Sequence, residues 1–93
     1  MLSSGIAQGL LLQKTQPVYP ADAKAAGVQG TVVLKITITT EGAVEDLSPV
    51  SGPEPLRQSA IDAVKHWRYK PFSVDGEPVE VGTTVNLVFR LKP

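Results

Sequence analysis

His66 is the only histidine in this 93-residue chain, and Asp62 stands four residues before it. On a helix that spacing brings the two side chains within reach, as an orienting carboxylate and a general base require. A hydrolytic triad would also need a nucleophile. Ser51, Ser59 and Ser73 are present, but none has the context of a nucleophile elbow. The His66–Asp62 pair therefore reads as a solvated helix face, and no catalytic residue is assigned. The chain has no cysteine, which removes disulfides, thiolate metal sites and a cysteine nucleophile. One histidine and scattered carboxylates lack calcium-loop spacing, and single glycines make no phosphate-binding loop. Neither a metal nor an organic cofactor is expected, and the chain does not read as an enzyme.

Lys65-His66-Trp67-Arg68-Tyr69-Lys70 interleaves basic and aromatic residues. Such runs can stack bases and hold phosphates. Here Trp67 also completes an apolar helical stripe, so it is expected in the core, with Lys65, Arg68 and Lys70 solvating the rim. Nine basic and nine acidic side chains give a net charge of zero, so no overall field draws the domain to nucleic acid or anionic lipid. Nucleic acid is not an expected partner.

The remaining chemistry is that of the backbone. Val79, Val81, Val85, Leu87, Phe89 and Leu91 fall on alternate positions, with Glu80, Thr84, Asn86 and Arg90 between them and Val88 the one apolar exception. That is the period of a strand with one buried face. The sequence stops two residues later, so this strand is expected at a sheet edge. An open edge can receive a partner's strand, bound through amides and carbonyls. A pairing of about six hydrogen bonds, at ~0.5–1.5 kcal/mol net each, supports micromolar binding after ordering costs. The alternative is a tolerated edge guarded against aggregation by Arg90 and Lys92.

The elements that must position this edge follow from the same patterning. At 42% hydrophobic and 19% charged the composition is that of one small globular domain with a thin core. Residues 1–15 read as an N-terminal arm, in which Leu10-Leu11-Leu12 could pack as a short strand. That apolar stretch is far below the ~20 residues of a membrane span, and the start lacks the features of a signal peptide. Residues 16–93 form the domain. Pro20 and the alanine-rich residues 21–26 predict a short helix with Gly27 just past its end. Val32, Leu34, Ile36 and Ile38 share one parity and predict a first long strand. Val33 on the other parity hints that this strand is central or partly covered on its second face.

Thr40-Glu41-Gly42 predicts a hairpin turn. The return strand over residues 43–50 has an untidy parity that suggests a bulge. Leu56, Ala60, Ala63, Val64 and Trp67 recur at helical spacing. Pro71 ends that helix, and Asp75-Gly76 predicts a second turn before the last strand. The order is helix, strand, strand, helix, strand. The fold class is α+β: a two-layer sandwich with two helices on one face of a small antiparallel sheet.

Several of these pieces, in this order, resemble one family. Gln16-Pro17-Val18-Tyr19-Pro20, Ala21-Asp22-Ala23, Gly30-Thr31-Val32 and the Glu41-Gly42-Ala43-Val44 turn are similar to the C-terminal domain of TonB energy-transducer proteins. So are the helix ending Trp67-Arg68-Tyr69-Lys70-Pro71 and the strand Val85-Asn86-Leu87-Val88-Phe89-Arg90. The resemblance covers residues 16–91. It implies a periplasmic domain of a Gram-negative bacterium, tied to the inner membrane by an N-terminal anchor and a proline-rich spacer outside these 93 residues. The anchor couples to ExbB and ExbD, which use the proton gradient. The resemblance further implies that the domain grips the TonB box, a short extended peptide of an outer-membrane transporter, as a strand added beside its last strand.

Carried over by position, the resemblance implies contacts to that peptide from Gln16, Thr84, Val85, Asn86, Leu87, Val88, Phe89 and Arg90. The turn in residues 72–78 departs from the family pattern and is expected to reshape the approach to the edge. A homodimer through the same strand is a further expectation. A structural envelope domain of the same fold, with peptidoglycan or another envelope protein as partner, is the alternative function.

Overall fold

The computed structural model describes residues 2–91. In chain order the elements are α1 (Ser4–Gly9), β1 (Leu11–Gln13), α2 (Ala21–Ala25), β2 (Gly30–Ile38) and β3 (Val44–Ser51). They continue with α3 (Glu54–Val64), β4 (Arg68–Tyr69), β5 (Ser73–Val74), β6 (Glu77–Pro78) and β7 (Val81–Phe89). The expected helix-strand-strand-helix-strand order is the series α2-β2-β3-α3-β7. To it the structure adds α1, the β1–β4 pair and the β5–β6 hairpin. Lys92, expected as an edge guard, lies outside the described residues.

The main sheet has the order β3-β2-β7, all antiparallel. Alternation in sequence becomes alternation in space. Val32, Leu34, Ile36 and Ile38 of β2 are fully buried, and Val85, Leu87 and Phe89 of β7 are buried beside them. Burying each such side chain contributes roughly 1.5–3 kcal/mol. Thr31, Lys35, Asn86 and Val88 lie on the opposite, exposed face. Val33 is half-buried, in keeping with the central place of β2.

Helix α3 lies across β2 and β3 and buries the predicted stripe of Leu56, Ala60, Ala63 and Val64. Helix α2 rests against α3 and buries Ala23. Trp67 is in the core, 4% exposed, but not on the helix. The helix ends at Val64, and the Trp67 amide donates to the Val64 carbonyl at 2.9 Å in the turn beyond it.

Both predicted turns are present. Asp75 and Gly76 have φ of 51° and 82°, the pair of positive values that a two-residue hairpin turn requires. Gly42 has φ 83°, and a Cβ there would lie 1.9 Å from the Tyr69 carbonyl oxygen. The Tyr69 amide donates to the Gly42 carbonyl at 2.8 Å. Glycine is thus required by backbone angle and by close approach together, and the contact ties β4 to the β2–β3 turn.

Strand β3 carries the irregularity its parity suggested. Its register against β2 shifts twice, and Asp46 adopts φ 53°. By contrast, β2 and β7 pair from Gly30↔Phe89 to Ile38↔Val81 without a break.

The first residues differ most from expectation. They fold onto the domain, with Ala7 buried and α1 packed against β7. Six residues are too few to show a helical period, and Gly5 and Gly9 dilute the helical signal. Leu10-Leu11-Leu12 does contribute a short strand. β1 pairs with β4 through Leu11↔Tyr69, and the Lys70 amide donates to the Leu10 carbonyl at 2.7 Å.

Candidate functional site

Strand β7 has β2 on one side and, among the described residues, no strand on the other. Which of its backbone groups face the free side is set by one contact. The Leu2 amide donates to the Gly82 carbonyl at 2.8 Å, so Gly82 points away from β2. Peptide groups alternate along a strand in an unbroken antiparallel ladder. Thr84, Asn86 and Val88 therefore also present N–H and C=O outward. Val81, Thr83, Val85, Leu87 and Phe89 spend theirs on β2. Side-chain parity alone could not make this assignment.

Beside the outward groups runs a groove of about 290 Å³. Thr84, Val85 and Asn86 line it together with Ser4 and Gln8 of α1. Leu11, Lys14, Trp67 and Tyr69 complete the lining. Local chemistry fixes these positions. The Trp67 indole N–H donates to the Thr15 carbonyl at 2.9 Å, so the ring anchors the chain leaving β1. Lys14 Nζ sits 5.8 Å from the Trp67 ring centroid, within cation–π range. The β1–β4 pairing holds Leu11 opposite Tyr69. Burial pushes the Tyr69 phenol up to about 12, so it stays neutral at ordinary pH. Lys14 is the one charged residue of the lining.

The structure brings together only some of the residues the sequence singled out. Thr84, Val85 and Asn86 line the groove. Val88 continues the same edge and is 56% exposed. Leu87 and Phe89 are core residues, and Phe89 packs edge-on against Tyr19 at 5.5 Å between centroids. Arg90 is exposed just beyond β7. Gln16 lies elsewhere, in a cleft of about 540 Å³ that it shares with Val18, Gln58, Asp62 and His66.

The groove residues not foreseen in the sequence are Ser4, Gln8, Leu11 and Lys14. One signal could have found α1. Ser3 is its N-cap, accepting from the Ile6 amide at 3.3 Å, with Leu2 before it and Ala7 at the fourth helical position. That is the pattern of a capped helix start with a hydrophobic staple.

The other candidate chemistry is committed to structure. Asp62 accepts from Gln58 Nε2 at 2.9 Å and lies 3.6 Å from Lys65 Nζ, while His66 is exposed. Trp67 and Tyr69 are 4% and 2% exposed, so the basic-aromatic run does not display its rings for stacking. Among the described residues no group of three or more His, Asp or Glu side chains could hold a metal. No helix there is long and apolar enough to cross a membrane.

Fold and edge together define a class: a small α+β module with helices on one face of a three-stranded sheet whose edge strand β7 is, among the described residues, unpaired along its outer side. Comparison with known proteins gives the family. Residues 15–91 match the family described as Gram-negative bacterial TonB protein C-terminal, and the chain belongs to it. Protein TonB of Vibrio cholerae serotype O1 is 35% identical over 85 residues, covering 89% of this chain and 35% of that protein. Protein TonB of Escherichia coli K12 is 33% identical over 82 residues, covering 86% of this chain and 32% of that protein. The chain thus spans about a third of the length of these curated relatives.

Solved structures agree on the fold. The solution structure of the Pseudomonas aeruginosa TonB C-terminal domain matches with a TM-score of 0.75 at 27% identity, covering 89% of this chain and 86% of that one. The TonB2 protein of Vibrio anguillarum matches with a TM-score of 0.65 at 37% identity, covering 90% and 82%.

Proposed function

We propose that this domain is the periplasmic peptide-binding module of a TonB-type energy transducer. It takes the TonB box of an outer-membrane transporter as an added strand on the free side of β7. Through an inner-membrane anchor and its ExbB and ExbD partners, outside these residues, it couples the proton gradient to active uptake. The observation that carries the reading is the unbroken β7, with outward peptide groups at Thr84, Asn86 and Val88 beside a groove. These three residues offer about six hydrogen bonds, and backbone pairing supplies most of the affinity. Val85, Leu87 and Phe89 hold the strand in place rather than meet the peptide's backbone. Arg90, and Gln16 two residues beyond the groove wall at Lys14, are proposed to meet the peptide's flanks. The same outward groups suit a second copy of the chain, so dimerisation through β7 is expected at high concentration.

Proline substitution tests this reading by titration with a TonB-box peptide. Asn86→Pro deletes an outward donor and leaves the β2–β7 ladder whole. It is expected to weaken binding at least about tenfold while the domain stays folded. Asn86→Ala keeps the amide and should change affinity less than about threefold. Wild-type affinity in a folded Asn86→Pro variant would remove β7 as the binding edge.

A further inference from the structure

The free side of β7 is not wholly free. The Leu2 amide occupies the Gly82 carbonyl, and Ser4 and Gln8 of α1 line the groove beside the edge. We infer that residues 2–9 are a self-docking strap that competes with the incoming peptide for the first part of the β7 edge, hinged at Gly9–Leu10. This inference rests on the strand-addition reading and adds regulation to the same site.

Space and hydrogen bonding support competition. Outward peptide groups run from Gly82 to Val88, about 20 Å of strand at ~3.4 Å per residue. The groove touches only Thr84, Val85 and Asn86 of that strand, and its 290 Å³ is about ten water volumes. A peptide paired along the whole edge must take the place of Leu2 and move α1 aside. The anchor for such a movement is present. β1 pairs with β4 immediately after the hinge, and the Leu10 carbonyl is held by the Lys70 amide.

The strap is also weakly made. α1 has only six residues, and an isolated helix of that length does not persist in water. Two of the six are glycines. A Cβ at Gly5 or Gly9 would meet nothing within 4 Å, and neither glycine has the positive φ that would call for it. Alanine would fit at both sites and favour the helix.

Opposing variants of the 93-residue protein test the strap. Gly5→Ala with Gly9→Ala should hold it closed and weaken TonB-box peptide binding about fivefold. Ser3→Ala, which removes the cap, and Leu2→Pro, which removes the donor to Gly82, should each tighten binding about threefold or more. Amide exchange gives a readout that a merely structural role would not move. Peptide should speed exchange at Ala7 of the strap and at Leu10 of the hinge while slowing it at Thr84 and Asn86. Peptide protection of β7 with identical affinity in all variants overturns the strap and leaves strand addition standing. No protection of β7 in any variant overturns both.

Discussion

The three-stranded sheet ends in two edges that are finished differently. β3 is closed by its own chemistry. It bears Glu45, Asp46 and Pro49, shifts register twice against β2, and turns Asp46 into the left-handed region. Charge, proline and bulges are the devices that stop an edge from pairing with another chain. β7 has none of them. Its nine residues carry no charge and no proline, and its register is unbroken. Among the described residues, Leu2 and α1 cover part of it. The difference shows that this sequence can protect an edge and does so on one side alone. Openness at β7 is therefore a property of the sheet itself, on a side where a groove accompanies the edge.

The largest expected effect is at the residue that supports the open side. Trp67 is buried, lines the groove, and holds Thr15 through its indole N–H. Trp67→Ala should cost about 3–5 kcal/mol, a large share of the stability of so small a domain. Thermal or denaturant unfolding measures this. An unchanged melting temperature with lost peptide binding would make Trp67 a surface contact instead.

Tyr69 sharpens the comparison through pH. Burial raises its phenol to about 12, against an ordinary value of 10.0. A group raised in the folded state stabilises fully below its unfolded value and loses that contribution as pH climbs through the folded value. Stability should therefore fall between about pH 10 and pH 12, by roughly 2–3 kcal/mol for a two-unit shift. Tyr69→Phe should lack this component in alkaline unfolding curves. An identical decline in both proteins would mean that burial does not hold the Tyr69 phenol in its neutral form.

The guarded edge offers a smaller test. Valine disfavours the left-handed conformation of Asp46, so Asp46→Val should cost about 1–2 kcal/mol in denaturant unfolding. Peptide should still bind only at β7, because Pro49 continues to deny β3 a donor. Peptide protection appearing on β3 would show that the bulge alone had closed that edge. The smallest effect is expected away from both edges. His66→Ala should change stability by less than about 0.5 kcal/mol and leave peptide titrations as they were.

The two edges also differ in how far they were legible in the sequence. Local periodicity reported β2, β7 and α3, because each buries one face and repeats apolar residues at the matching spacing. Thr40-Glu41-Gly42 and Asp75-Gly76 reported their turns through residues that accept positive φ. The untidy parity of residues 43–50 reported the bulged β3. What was not legible is long-range. The docking of α1 on β7, the β1–β4 pairing and the seating of Thr15 on Trp67 join residues far apart in the chain. The outward set of β7 amides followed only from the Leu2–Gly82 contact. Gln16 shows the same limit from the other direction: the family resemblance alone tied it to the peptide edge, and the sequence carried no sign of the cleft beside α3 in which it lies.

Residue-resolved amide exchange with and without a TonB-box peptide tests the central claim most directly. Strand addition predicts an alternating pattern. The Thr84, Asn86 and Val88 amides gain protection. Those of Val85 and Leu87, already bonded to β2, change little, and β3 does not respond. Protection confined to residues 65–70 or to the cleft around Gln16, with Thr84, Asn86 and Val88 exchanging as before, would contradict the account.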